Sequence, residues 1–300
     1  RNLAEKLDFS PNQLARSLRL RRTNTIGLVV PDISNPFFAS IARSVENEAR
    51  HRGYSVVLCD TEDRTELEVE ALNLLEGRKV EGLVLLPVGQ DCAHLKRYER
   101  GGMPVVVVDR WFRELKLPSV ASDDYRGALE AVEVLVKHGH RAIACLQGLP
   151  GTAPNEERVR GYRDALRRHG LKVDASLIVG NDFRERSGYE QTRRLVRERP
   201  EVTALWCLNS LIALGALRAL GETGHRVPED LSVISFDDPP YAPYLATPMT
   251  TVAQEHAAMG REAVRLLFKR IGSDRRIAPE RVILPTQLME RKSVQRRPAV

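Results

Sequence analysis

The chain has 300 residues, 42% of them hydrophobic and 29% charged, with no low-complexity run; that is enough apolar material for two lobes and gives no compositional ground for extended disorder. Apolar runs such as 105–108 fall far short of the roughly 20 residues needed to cross a bilayer, which excludes a membrane-spanning helix and points to a soluble protein. The net charge of +6 is unevenly placed: residues 1–22 carry six cations against Glu5 and Asp8, leaving +2 for the other 278 residues.

The first element is therefore a basic N-terminal arm. It reads either as a solvated tail or as a segment that neutralises phosphates on a polyanion. Ser10 is a suitable N-cap and Pro11 a suitable first helical residue, so a helix of about two turns starts there. Leu14 and Leu18 share one face of it, and Ala15 leaves room for a symmetric partner. So short a helix is unstable alone in water, so it is expected to form only against a partner surface.

From Thr25 onward, short runs rich in Val, Ile and Leu alternate with amphipathic stretches of helical period. Strands are expected at 25–30, 55–59, 82–86, 105–108, 142–146, 203–208 and 231–236, and helices at 37–52, 65–77, 125–138, 156–169, 187–199 and 211–222. A late helix at 256–271 and a strand at 281–284 follow. The repeated βα pattern implies α/β architecture with doubly wound parallel sheets covered on both faces. The element count splits near Ser122-Asp123-Asp124 into two similar lobes joined by multiple crossovers. The expected division is an arm over 1–22, a first lobe over 23–123 with 253–281, and a second lobe over 124–252 with 282–300.

Helix ends carry their usual punctuation. His51-Arg52-Gly53, Lys137-His138-Gly139 and Arg168-His169-Gly170 place cations in a last turn and then a glycine for the left-handed cap. The histidines read as capping residues, and His138 with His140 has no third ligand nearby, so no metal is expected. Cys59, Cys92, Cys145 and Cys207 lie far apart with no CxxC pair, which fits a reducing cytoplasm.

In open parallel sheets, ligands sit beyond the carboxyl ends of the strands. Those positions hold Asp32, Asn35 and Phe37 after the first strand, then Asp109-Arg110-Trp111, Gln147-Gly148, Asn209-Ser210 and Asp237-Asp238. Phe183 adds another flat apolar face. Paired donors and acceptors beside aromatic rings suit a sugar or nucleoside. Each Asp or Asn can equally serve as a helix cap, and one of Phe37 and Phe38 is expected in the core; recurrence at equivalent strand ends is what favours a ligand.

Catalytic motifs are missing. There is no GxGxxG after 25–30, no GxxxxGK[ST], no GxSxG and no HExxH, so no nucleotide cofactor, nucleophilic serine or zinc hydrolase is indicated. Asp237 and Asp238 are adjacent on an extended segment and point in opposite directions, which argues against a working carboxylate pair. No catalytic residue, cofactor or metal is assigned.

Over nearly its whole length the sequence resembles the LacI/GalR family of bacterial transcriptional regulators. The resemblance rests on the segment from Ser10 to Arg19, on Thr25 through Phe38, and on Arg158-Val159-Arg160-Gly161-Tyr162. It continues through Asp182-Phe183 with Ser187-Gly188-Tyr189, Ala213-Leu214-Gly215-Ala216, 226–233 and Phe236-Asp237-Asp238, all in the family's order. It implies a homodimer whose helix-turn-helix headpiece reads a palindromic operator through a hinge helix, joined to a two-lobed core like periplasmic sugar-binding proteins. Arg1 to Leu7 is similar to the tail of the third headpiece helix, most of the headpiece lying outside this sequence, so weak operator binding by this chain alone is expected.

On the hinge the resemblance implies DNA contacts from Asn12, Ala15, Arg16, Leu18 and Arg19, with Leu18 wedged between base steps in the minor groove. In the core it points to Phe37, Asp109, Arg158, Phe183, Asn209 and Asp237 around a small effector, most naturally a carbohydrate. Ser210 replaces an Asp common in the family and Arg110 adds a charge. The particular sugar or purine, and an anionic effector, therefore stay open, as does whether the effector induces or corepresses. The rival readings are a transporter-type sugar-binding protein without DNA binding and a carbohydrate-processing enzyme. No leucine heptad follows Val294, so a tetramerising coil is not expected.

Overall fold

The computed structural model describes residues 23–273 and 278–297. The five hinge positions Asn12, Ala15, Arg16, Leu18 and Arg19 lie outside the described residues.

The first lobe opens with β1 (Thr25–Val30), α1 (Pro36–His51), β2 (Ser55–Asp60), α2 (Thr65–Gly77), β3 (Leu83–Leu85), β4 (Val105–Val108) and β5 (Ser119–Ser122). The chain then passes into the second lobe with α3 (Asp124–Lys137), β6 (Ile143–Leu146), α4 (Ala153–Arg168), β7 (Ile178–Val179), α5 (Glu185–Glu198), β8 (Ala204–Cys207), α6 (Ser210–Glu222), β9 (Ser232–Phe236) and β10 (Thr250–Gln254). It returns to the first lobe for α7 (His256–Arg270) and β11 (Arg281–Leu284) and ends with β12 (Thr286–Met289) in the second.

Two six-stranded sheets result, ordered β11-β5-β4-β3-β1-β2 and β12-β10-β9-β8-β6-β7. All pairings are parallel except β10 with β12, an antiparallel edge added to a doubly wound sheet. In the first lobe, alternation along β1 sends Ile26, Leu28 and Val30 to a core with α1 and α7, while Val29 packs with Leu72 and Leu75 of α2 on the opposite face. The second lobe has a core around Trp206, Tyr162 and Phe236.

Two expected boundaries are corrected by strand pairing. Residues 282–284 belong to the first lobe, because Val282, Ile283 and Leu284 continue the parallel ladder with β5. Residues 253 and 254 belong to the second, paired with Gln287 and Thr286 of β12. Four strands escaped the sequence reading: β5, β7, β10 and β12. β7 has two residues, and TTVAQ and TQLM are too polar to register as apolar runs.

Three crossovers join the lobes, at 122–124, 254–256 and 284–286. They are tied together: Asp123 N donates to Leu284 O at 2.8 Å, and Ser122 Oγ donates to Gln254 Oε1 at 2.5 Å. Among helices the pairs α1/α7, α3/α4 and α5/α6 make the most extensive contacts. The last pair sits so close that a Cβ on Gly215 would lie 1.9 Å from Glu185 O, and one on Gly188 would lie 2.1 Å from Ile212 O. His138 caps a carbonyl as expected, its Nδ1 2.8 Å from Val134 O, whereas His140 is buried between Thr203 Oγ1 and Gln295 O. All four cysteines are free, and no described helix is long and apolar enough to cross a membrane.

Candidate functional site

The strands of both sheets end toward one cleft of about 520 Å³ between the lobes. Asp32, Asn35, Phe37, Asp109, Arg110, Arg158, Phe183, Asn209 and Asp237 all line it. The structure thus brings these nine residues to one place, while Gln147, Gly148, Ser210 and Asp238, also singled out at strand ends, do not line it. Trp111 is not among the lining residues; its ring lies under the guanidinium of Arg281, 3.4 Å from the ring centre.

On the first-lobe side, Asn35 caps α1, its Oδ1 accepting from Phe37 N at 3.0 Å, and Pro36 occupies the first turn where a missing N–H costs nothing. That cap fixes Phe37 at the cleft wall, edge-on to Phe38 and His256 with centroids 5.1 Å away in each case. Both phenylalanines are buried in the first-lobe core, so the expected core ring is present, and both also line the cleft. Asp109 follows β4 with φ +68°, a left-handed conformation that turns its side chain out of the ladder. Arg110 donates from Nη1 to Asp63 Oδ1 at 2.9 Å.

On the second-lobe side, Asp237 follows β9, also with φ +68°. β4 and β9 hold the same place in their sheets, so the two aspartates are structural counterparts facing each other across the cleft. Asp237 Oδ1 accepts from Gln254 Nε2 at 2.6 Å, while Asp238 turns away to Arg291 and Thr251. Arg158, on α4, is only 3% exposed. Its Nε donates to Asp124 Oδ1 at 2.8 Å, its Nη1 donates to Leu208 O at 2.6 Å, and its guanidinium lies 3.7 Å from the Phe236 ring centre. Guanidinium carries five N–H donors, so some stay free for a ligand.

Phe183 and Asn209 form one unit. Asn209 Oδ1 caps α6 through Ile212 N at 2.8 Å, and its Nδ2 donates to Phe183 O at 2.9 Å. The Phe183 ring rests on Gly148, where a Cβ would fall 2.1 Å from the ring. Arg110 reaches across from the first lobe to lie 5.7 Å from the Phe183 ring centre. A second bridge between lobes joins Gln90 Nε2 to Pro150 O.

Burial dominates the electrostatics. It pushes Asp109 up from 3.8 to about 7, against the lowering pull of Arg158 and Arg110, with Asp124 and Asp237 adding to the rise. Asp124 is raised to about 6 because burial outweighs its pairing with Arg158. His256 is pushed down by burial, opposed by Asp237, Glu255 and Asp238, and its Nε2 has no hydrogen-bond partner among the described residues.

Sequence reasoning passed over Gln254 and Asp63; it read Asp124 only as part of the split between lobes and Gly148 only as a strand-end residue. Gln254 ends a strand too polar to be noticed. No described cluster of three or more His, Cys, Asp or Glu has the geometry to hold a metal ion.

Two sheets joined by three crossovers, with aromatic and paired polar groups in the cleft between them, define a two-lobed small-molecule-binding core. Residues 23–292 match the family model of periplasmic binding proteins and the sugar binding domain of the LacI family, and the chain belongs to that family. The ribose operon repressor of Halalkalibacterium halodurans is 34% identical over 289 residues, covering 96% of this chain and 85% of the relative. The HTH-type transcriptional regulator CelR of Thermobifida fusca is 36% identical over 297 residues, covering 96% of this chain and 86% of the relative. A solved LacI family transcriptional regulator from Enterococcus faecium with bound ribose superposes with a TM-score of 0.82 at 29% identity, covering 91% of this chain and 100% of that one.

Proposed function

We propose that the chain is the effector-sensing core of a homodimeric, cytoplasmic transcription repressor that binds a carbohydrate and is not an enzyme. The observation that supports this most is the convergence of the nine lining residues from both lobes on one cleft. A ligand held by Asp109 and Phe37 on one side and by Arg158, Phe183 and Asp237 on the other favours one inter-lobe angle over another. Only such differential affinity shifts a conformational equilibrium.

The route out of the cleft runs through Asp237 to Gln254 and from Gln254 to Ser122, so a hydrogen-bonded chain leads from the ligand to two of the three crossovers. A changed angle displaces the first lobes of the dimer and, with them, the hinge segment at 10–19. Leu18 then enters or leaves the minor groove, with Asn12, Ala15, Arg16 and Arg19 beside it. Coupling is reciprocal: effector and operator alter each other's affinity by one factor.

The test uses the natural gene product on its operator, followed by fluorescence anisotropy with and without saturating ribose or cellobiose. The expected result is a change in operator affinity of about tenfold or more for the sugar that binds. A sugar that binds the core and leaves operator affinity unchanged contradicts the reading; no operator binding at all favours a transporter-type binding protein.

A further inference from the structure

The cleft has two buried arginines, and an arginine pair ordinarily suggests a phosphate or carboxylate ligand. Here both are already balanced within the chain. Arg158 is in a buried pair with Asp124, and Arg110 with Asp63. What remains is negative: Asp109 and Asp237 are 8% and 5% exposed and line the cleft. Asp237 is held by one amide, from Gln254. The carboxylate of Asp109 has no hydrogen-bond donor among the described residues, so a nearly buried acceptor is left facing the cavity.

The rim adds no compensating field. Exposed Arg184 and Arg186 share it with Asp60, Glu62 and Glu185, and Arg186 is paired with Glu190. Inside the cleft a dianionic phosphate meets two carboxylates, and both buried guanidiniums there already hold a carboxylate partner; exposed Arg184 lies on the solvent-facing rim, where screening weakens its pull. Hydroxyl groups, by contrast, donate directly to Asp109 and Asp237.

Resting on the carbohydrate reading above, we infer that the cleft selects an uncharged, hydroxyl-bearing effector and rejects the phosphate ester of the same sugar, with Asp109 and the Arg110–Asp63 pair setting the discrimination. Charge sets the preference; ring size does not enter it.

The experiment is calorimetric titration of the chain at pH 8, above the titration of Asp109, with a panel of pentoses and hexoses, each paired with its phosphate ester, ribose with ribose 5-phosphate among them. The parent sugar is expected to bind about a hundredfold more tightly than its ester. Two variants probe the cause. Asp109→Asn removes the facing charge, and Asp63→Asn releases Arg110 from its partner; each is expected to narrow the gap by about tenfold, Asp63→Asn by raising affinity for the ester. An ester that binds as well as its parent, or a gap that persists undiminished in both variants, overturns the inference while leaving the carbohydrate reading intact. Silence from every sugar and every ester overturns the carbohydrate reading and the charge rule with it.

Discussion

The two halves of the cleft carry matching groups in unequal settings. Asp109 with Arg110 in the first lobe and Asp237 with Arg158 in the second each place an acid and a guanidinium at the cleft wall. In the second lobe they are locked: Arg158 is held by Asp124, the Leu208 carbonyl and the Phe236 face, and Asp237 by Gln254. In the first, Asp109 has no hydrogen-bonded donor among the described residues, and Arg110 hydrogen-bonds there to Asp63, whose side chain is 27% exposed, and rests over the Phe183 ring. Asp63 itself sits on backbone with φ +56° next to Glu62 at φ +51°, a local conformation that non-glycine residues adopt at a cost. On the function proposed above, the second lobe is thus the more rigidly held half of the cleft, and the first-lobe half is the part a ligand would complete.

The largest test of that inequality is to remove each arginine in turn. Arg158→Leu strands Asp124 in the interior and is expected to cost about 3–5 kcal/mol in urea unfolding, with loss of effector binding. Arg110→Leu, with a partly exposed partner, is expected to cost about 1 kcal/mol or less while still weakening the effector. Equal losses of stability would erase the distinction between the halves.

Next in size is Gly148→Ala. The new methyl falls inside the Phe183 ring, and the ring must swing away from the cleft. Effector affinity is expected to drop roughly tenfold, the scale of a lost aromatic face, read by calorimetry on a protein whose circular dichroism is unchanged.

The first-lobe half also carries a pH signature. Burial raises Asp109 from 3.8 to about 7, with Arg158, Arg110, Asp124 and Asp237 as its charged neighbours. A raised carboxyl pKa means that folding favours the protonated form; that stability is complete below about pH 4 and is lost as pH climbs through 7. Asp109→Asn is expected to raise the melting temperature at pH 8 and leave it nearly unchanged at pH 4, in thermal scans at both values. No gain at pH 8 would place Asp109 in a better-solvated setting. The smallest effect is assigned to Gln90→Ala, which removes one bridge at the cleft mouth and is expected to change effector affinity about twofold to fivefold, measured in the same calorimeter.

Much of this architecture was legible because burial on both sheet faces writes itself as uninterrupted Val and Leu runs, as at β4, and because helix ends advertise their caps, as at Asn35 and Asn209. The strand-end cleft residues, such as Asp109 and Asp237, were legible because a parallel sheet gathers its carboxyl strand ends at one edge, while Arg158, on a helix, entered only through the family resemblance. What stayed hidden depends on partners far along the chain. TTVAQ is a strand only because β9 and β12 flank it, and 282–284 join the first lobe only because β5 offers them an open ladder. Gly161, Gly188 and Gly215 stood out as motif letters, but their cause is contact between neighbouring helices, where a Cβ would collide with backbone. Arg110 looked like a spare cation in the sequence; only the fold shows Asp63 beside it.

The most direct test of the whole account is a crystal structure of the chain soaked or grown with the sugar that binds it most tightly. The expected density is a sugar between Phe37 and Phe183, its hydroxyls within hydrogen-bond reach of Asp109 and Asp237 and of the free Arg158 donors. A sugar bound anywhere outside the inter-lobe cleft, or one in the cleft that touches only a single lobe, would contradict it.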